Sequence, residues 1–210
     1  MDCGAPPAYA PRPAWSGARV DLPEPPALPT TPRKSGSDYT VFGAVDALRS
    51  MTHAKDVTEQ PITIVGYVVD SNIPRAPACA VHRTGVADPP DCVAQMPSFW
   101  LADEKTGADP RKIRVVGWAR NFAVVYDAMK AYQRVAPGKP PRPVTDDLLN
   151  VEVPFPLPAV GMKVKVSGRY RGTTIVANSL VAEPATGAML FAKWEVLEDA
   201  PSPAAFSRRP

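Results

Sequence analysis

Charge of one sign, histidine, long apolar runs and phosphate-binding glycine motifs are all scarce in this sequence of 210 residues. Its 24 basic and 21 acidic residues leave a formal net charge of +3, too small an excess to steer the chain to nucleic acid or anionic lipid. No stretch reaches the roughly 18 consecutive apolar residues that a membrane-spanning helix needs. No basic start followed by an apolar run marks a signal peptide, and the mature chain is expected to be soluble. Neither G-x-G-x-x-G nor G-K-[ST] occurs, so a glycine-rich phosphate cradle is not expected. The two histidines, His53 and His82, accompany no Ser or Cys nucleophile in a recognisable motif, which leaves nucleophilic catalysis little to work with. Asp103-Glu104 reads as a hairpin turn and Asp146-Asp147 as a helix start or solvated turn. The chain is therefore expected to be neither an enzyme nor the holder of a cofactor.

Proline, by contrast, is abundant and unevenly placed. Of 27 prolines, nine lie in residues 1–38 and seven in 136–158. Proline fixes φ and removes a ladder donor, so these segments are expected to lie outside any sheet. Residues 1–38 offer no periodic apolar face and read as a disordered, proline-rich leader. The compact part is expected from about Tyr39 to Glu198, with a disordered tail over 199–210.

Within 39–198 the apolar residues recur with period two in short runs: Ile62–Val69, Pro97–Asp103, Lys112–Trp118 and Met162–Arg169. Alternation places Ile62, Ile64, Gly66 and Val68 on one face of the first run and Thr63, Val65, Tyr67 and Val69 on the other. Gly66, Gly117 and Gly168 sit at similar depth in their runs, as expected where strands coil tightly to close a small barrel. Residues 174–182 continue the fourth run or add a strand, and Met189–Leu197 supplies the last. Two helices are expected. One spans about 38–51, capped by Asp38 and carrying Phe42, Val41, Val45 and Leu48; the other spans about 122–135 on Phe122, Val125, Met129 and Tyr132. Residues 52–60 read as polar linker. Two connections, 70–96 and 136–158, are long enough to be insertions with a task or a staple.

The order strand, strand, strand, helix, strand, strand, with Ile64-Val-Gly-Tyr67, Phe99-Trp-Leu-Ala-Asp103, Ile113-Arg-Val-Val116 and Gly161-Met-Lys-Val-Lys-Val-Ser-Gly168, resembles the OB-fold domains of the tRNA-anticodon-binding-like type. Members of that family tend to show a glycine late in the first strand, Leu-x-Asp ending the second and Gly-x-x-Val-x-Val-x-Gly around the fourth. The resemblance covers about residues 61–198. It implies a mostly β, five-stranded Greek-key barrel, closed, with a helix between strands 3 and 4. The helix over 38–51 would be an addition to it. It also implies a ligand wall on the outer face of strands 2 and 3. By alternation that wall would present Trp100, Arg114, Val116 and Trp118, with Tyr67 from the first strand and Arg120 just beyond the third. Rings interleaved with guanidinium groups suit single-stranded nucleic acid. The long 70–96 loop, the 136–158 insertion and the weak charge favour a protein or other envelope ligand instead, with nucleic acid as the alternative partner.

Three cysteines complete the inventory. Cys79 and Cys92 close one loop, and a disulfide there would add roughly 3 kcal/mol by restricting the unfolded chain. With His82, and Asp88 or Asp91, the same cysteines could ligate zinc, although only one close-spaced couple is present; free thiols are the third reading. The cysteine-bearing loop also resembles that of small exported bacterial OB-fold lipoproteins, in which Cys3 would carry the lipid; an incidental cysteine in a disordered leader fits equally. The first reading places the protein in the periplasm or tethered to the outer membrane, the second allows the cytoplasm.

Overall fold

The computed structural model describes Gly17, residues 23–24, 31–135 and 141–207. The chain divides into Met1–Thr30 and Thr31–Pro210, and the elements all lie in the second unit. In order they are β1 (Lys34–Ser35), β2 (Asp38–Thr40), α1 (Val41–Arg49), α2 (Ala54–Thr58), β3 (Ile62–Ser71), β4 (Phe99–Ala102), β5 (Ile113–Val116), α3 (Phe122–Gln133), β6 (Thr145–Asp146), β7 (Val151–Glu152), β8 (Lys163–Arg171), β9 (Thr173–Val176), β10 (Ser179–Ala182) and β11 (Ala188–Glu198).

Five of these strands form a ring. β3 pairs antiparallel with β4 and β4 with β5; β5 pairs parallel with β11, β11 antiparallel with β8, and β8 antiparallel with β3. Numbered as barrel strands, that order is 1-2-3-5-4-1, a closed mostly β barrel of OB type. The predicted alternation holds along β3, where Ile62, Ile64, Gly66 and Val68 are buried. They meet Phe99, Leu101, Ile113, Val115, Val164, Val166 and Met189 in one core. Gly168 is required by closure: a Cβ there would stand 2.0 Å from the Leu190 carbonyl oxygen. Just beyond that point the register of β11 against β8 slips between Phe191 and Lys193, a bulge that lets a long strand curl.

The compact unit starts earlier than the sequence suggests. β2 lies parallel to β3 on the edge that β4 joins further along, Tyr39 opposite Ile64 and Thr40 opposite Val65. The cap of α1 is Thr40 rather than Asp38: its Oγ1 accepts from Gly43 N at 2.9 Å. The next two orphan donors, Val41 N and Phe42 N, give hydrogen bonds of 2.8 and 2.7 Å to the Asp103 carboxylate. Asp103 therefore belongs to a helix terminus and not merely to the hairpin turn. Burial pushes its carboxyl above the usual carboxylate range, and the two N–H groups pull it back. Residues 52–60, expected as linker, include the one-turn helix α2, whose Val57 is buried.

Cys79 and Cys92 form a disulfide, with Cα atoms 5.8 Å apart. The ends of the long loop are tied by Asn72, whose amide donates to the Met96 carbonyl and accepts from Ser98 N, both at 2.8 Å. At the other terminus, residues 199–207 lie against the barrel through Ala200, Ala204 and Phe206. Phe206 packs edge-on against Phe122 and Tyr126, with ring centroids 6.3 and 6.0 Å away, a geometry that aromatic pairs prefer.

Candidate functional site

Of the six predicted wall residues, Trp100 and Arg114 come together, and Val116 is buried beneath the β9–β10 hairpin, which corrects its place on the wall. Trp100 on β4 lies directly opposite Arg114 on β5 and opposite Asp70 on β3, so one row of side chains crosses three strands. The Arg114 guanidinium stacks over the Trp100 ring with its Cζ 5.6 Å from the centroid. Arg114 Nε donates to Ser98 Oγ at 3.1 Å, and Nη1 lies 3.6 Å from Glu183 Oε1. Asp70 accepts two hydrogen bonds from Arg75, at 2.9 and 3.1 Å. The row is thus aromatic at its centre, with each cation facing a carboxylate.

Glu183 arrives on the β9–β10 hairpin, which turns its Val176 and Val181 onto Val116 and Ala188. The same hairpin leaves Ile175 and Leu180, opposite each other across it, exposed. Period-two patterning over 174–182 reveals a hairpin, but not which part of the barrel it leans on.

The other three candidates are elsewhere. Trp118 is fully buried, which corrects its place on the outer wall. Gly117 takes φ +78 after the end of β5, so the alternation breaks and the next side chain turns inward, its ring 6.2 Å from Phe99. Its Nε1 has no hydrogen-bond partner among the described residues. Arg120 is a brace: its backbone N donates to Asp146 Oδ2 at 2.6 Å and its Nε lies 3.9 Å from Oδ1. Asp146 is 1% exposed and also accepts from Leu148 N and Leu149 N, so it is an interior anchor rather than a solvated turn. Tyr67 sits further along β3, between Ala102 and Lys163. Lys163 Nζ is 5.1 Å from its ring centroid, and its hydroxyl donates to Glu198 at 3.4 Å.

With the two sulfurs bonded to each other, the zinc reading loses its thiolates, and among the described residues no group of three His, Cys, Asp or Glu side chains is placed to hold a metal. His82 serves the loop instead. Its Nε2 lies 2.5 Å from Asp88 Oδ1 and its Nδ1 2.9 Å from the Arg83 carbonyl oxygen. Both neighbours are acceptors, so only the imidazolium satisfies both. The Asp88 hydrogen bond, followed by that of the Arg83 carbonyl, raises the His82 pKa above its ordinary value. Thr84 donates from N and Oγ1 to Asp127, joining the loop to α3. Cys3 lies outside the described residues.

No family model and no curated protein matches this chain. Among solved structures, the chain is similar to a protein assigned as an aspartyl-tRNA synthetase from Leishmania major Friedlin, at 12% identity and a TM-score of 0.37, over 84% of this chain and 24% of that one. It is also similar to OBody AM3L09, whose structure is bound to hen egg-white lysozyme, at 12% identity and a TM-score of 0.31, over 69% of this chain and 88% of that one. The chain thus spans about a quarter of the synthetase's length, and the barrel rests on the strand pairings themselves rather than on these likenesses.

Proposed function

We propose that this chain is a non-catalytic binding module that engages a protein or other envelope ligand through the Trp100–Arg114 wall and the loops around it. The observation that carries this reading is that the guanidinium on the wall is already matched, by Glu183 and by the Trp100 ring. Single-stranded nucleic acid draws much of its affinity from cations free to displace counterions along the phosphates. A stacked Trp–Arg centre flanked by carboxylates is suited to a mixed, protein-like surface, where such residues carry binding energy out of proportion to their area. Export is part of the proposal and is supported by the Cys79–Cys92 disulfide, since such bonds persist mainly in oxidising compartments. A lipid tether at Cys3 is its further extension.

The alternative partner, single-stranded nucleic acid, is tested by fluorescence anisotropy of a labelled 20-nucleotide oligothymidylate at low salt. The expected result is no saturable change up to about 100 μM protein, the weak end of ordinary non-specific binding. Micromolar binding that weakens with salt and is lost in Trp100→Ala would favour the nucleic-acid reading.

A further inference from the structure

Residues Asp199–Ser207, Asp-Ala-Pro-Ser-Pro-Ala-Ala-Phe-Ser, are attached by means unlike those of the rest of the unit. Pro201 and Pro203 fix φ and remove donors, and among the described residues no backbone–backbone hydrogen bond joins this segment to the barrel. Its attachments are apolar. The Pro201 ring lies over Gly161, its Cδ 2.8 Å from where a Cβ would stand. Phe206 sits on a small cluster of Ala80, Val81 and Phe122, bordered by Cys92 and Tyr126. That cluster is a socket with two walls, the disulfide-closed loop and the first turns of α3.

The fit is incomplete on both flanks. A groove of about 330 Å³ remains between the segment, Met129 and Phe155, and another of about 380 Å³ where it passes Pro74 and Val160. A segment with no ladder and open space beside it belongs to the low-stability end of a native structure. An irregular, proline-bent chain that borders two grooves and ends in one aromatic anchor has the form of a bound peptide.

We propose that this socket, with its flanking grooves, is a peptide-binding site for an apolar, proline-spaced segment carrying an aromatic anchor, and that residues 199–207 occupy it in cis. The occupant's chemistry is the ligand's: prolines that restrict the chain, two alanines, Ala200 and Ala204, that pack on the core, and one phenyl ring part-buried in the socket. Because the tail is tethered, it competes with any incoming peptide at millimolar effective concentration. The site is separate from the Trp100 wall, and its fate does not depend on what that wall binds.

The test uses a fluorescein-labelled synthetic peptide of residues 199–210, titrated against the full-length chain and its Phe206→Ala variant. Saturable binding to the variant, at least roughly tenfold weaker binding to the unmodified chain, and none by a peptide that itself carries Phe206→Ala are expected. Equal binding to both chains, or binding to neither, overturns the proposal. Independently of the variant, excess peptide added to the ¹⁵N-labelled unmodified chain is expected to displace the tethered tail, so that the amides of Ala204, Ala205 and Phe206 shift while those of Val81, Phe122 and Tyr126, which meet the same ring from the peptide, move little. Tail amides that do not move overturn it equally.

Discussion

The wall at Trp100 and the socket at Phe206 both centre on an aromatic side chain, yet they are built from opposite materials. Around Trp100 the neighbours are charged and already paired, Arg114 with Glu183 and Arg75 with Asp70. Around Phe206 the contacts are apolar, and the nearby ionic pair, His82 with Asp88, fastens the loop behind the socket rather than its surface. Partly exposed ion pairs add little to stability; their effect at the wall is to fix the orientation of the guanidinium before any partner arrives. The wall is preorganised and part-exposed, whereas the socket is filled and must be emptied first. Preorganisation lowers the cost of binding, which is why the wall is the proposed primary site and the socket a second one under competition.

The largest effect is expected at the interior brace that holds Arg120 away from the wall, in Asp146→Ala. It removes the acceptor for three backbone N–H groups and leaves the Arg120 side chain without its carboxylate. The expected loss is about 3 kcal/mol in urea unfolding, with Asp146→Asn retaining part of the stability because its amide oxygen still accepts. A change below about 0.5 kcal/mol would remove Asp146 and Arg120 from the barrel's bracing.

A smaller effect sharpens the socket's side. The folded-state pKa of His82 is raised by Asp88 and the Arg83 carbonyl, so the stability of this pair is fully present below about pH 6.5, the ordinary histidine value. It is lost as pH rises through the folded-state value. The other charged group facing the ring is Asp127 on α3, which adds in the same direction. The ¹⁵N signals of the His82 ring are expected to titrate above the ordinary value and Thr84 N to shift with them. In Asp88→Asn both midpoints fall. A His82 titration unmoved by Asp88→Asn would mean that the pair does not hold the loop.

How much of this was legible in the sequence follows from the range of each interaction. Period-two runs and glycine positions are local, and they carry the five strands, their faces and the α3 connection. The Cys79–Cys92 pairing was one of three open readings, and the fold selects it. What escaped depended on partners far along the chain. Asp103 caps a helix 61 and 62 residues before it, and Asp146 braces a residue 26 positions upstream. The misplacement of Trp118 has a more local cause. As a strand glycine Gly117 would carry the alternation on to Trp118; its positive φ ends it one residue before the ring. Phe206, alone in a proline-rich tail, gave no periodic signal at all.

The central claim, that the Trp100–Arg114 wall receives a protein, is tested most directly by replacing Trp100 with a photo-crosslinking phenylalanine analogue in the host cell. The exposed β8 residue Arg169 serves as the control position. A discrete protein adduct from position 100, absent from position 169 and lost on Arg114→Glu, is the predicted result. Adducts that are alike from both positions, adducts sensitive to nuclease, or no adduct at all would contradict it.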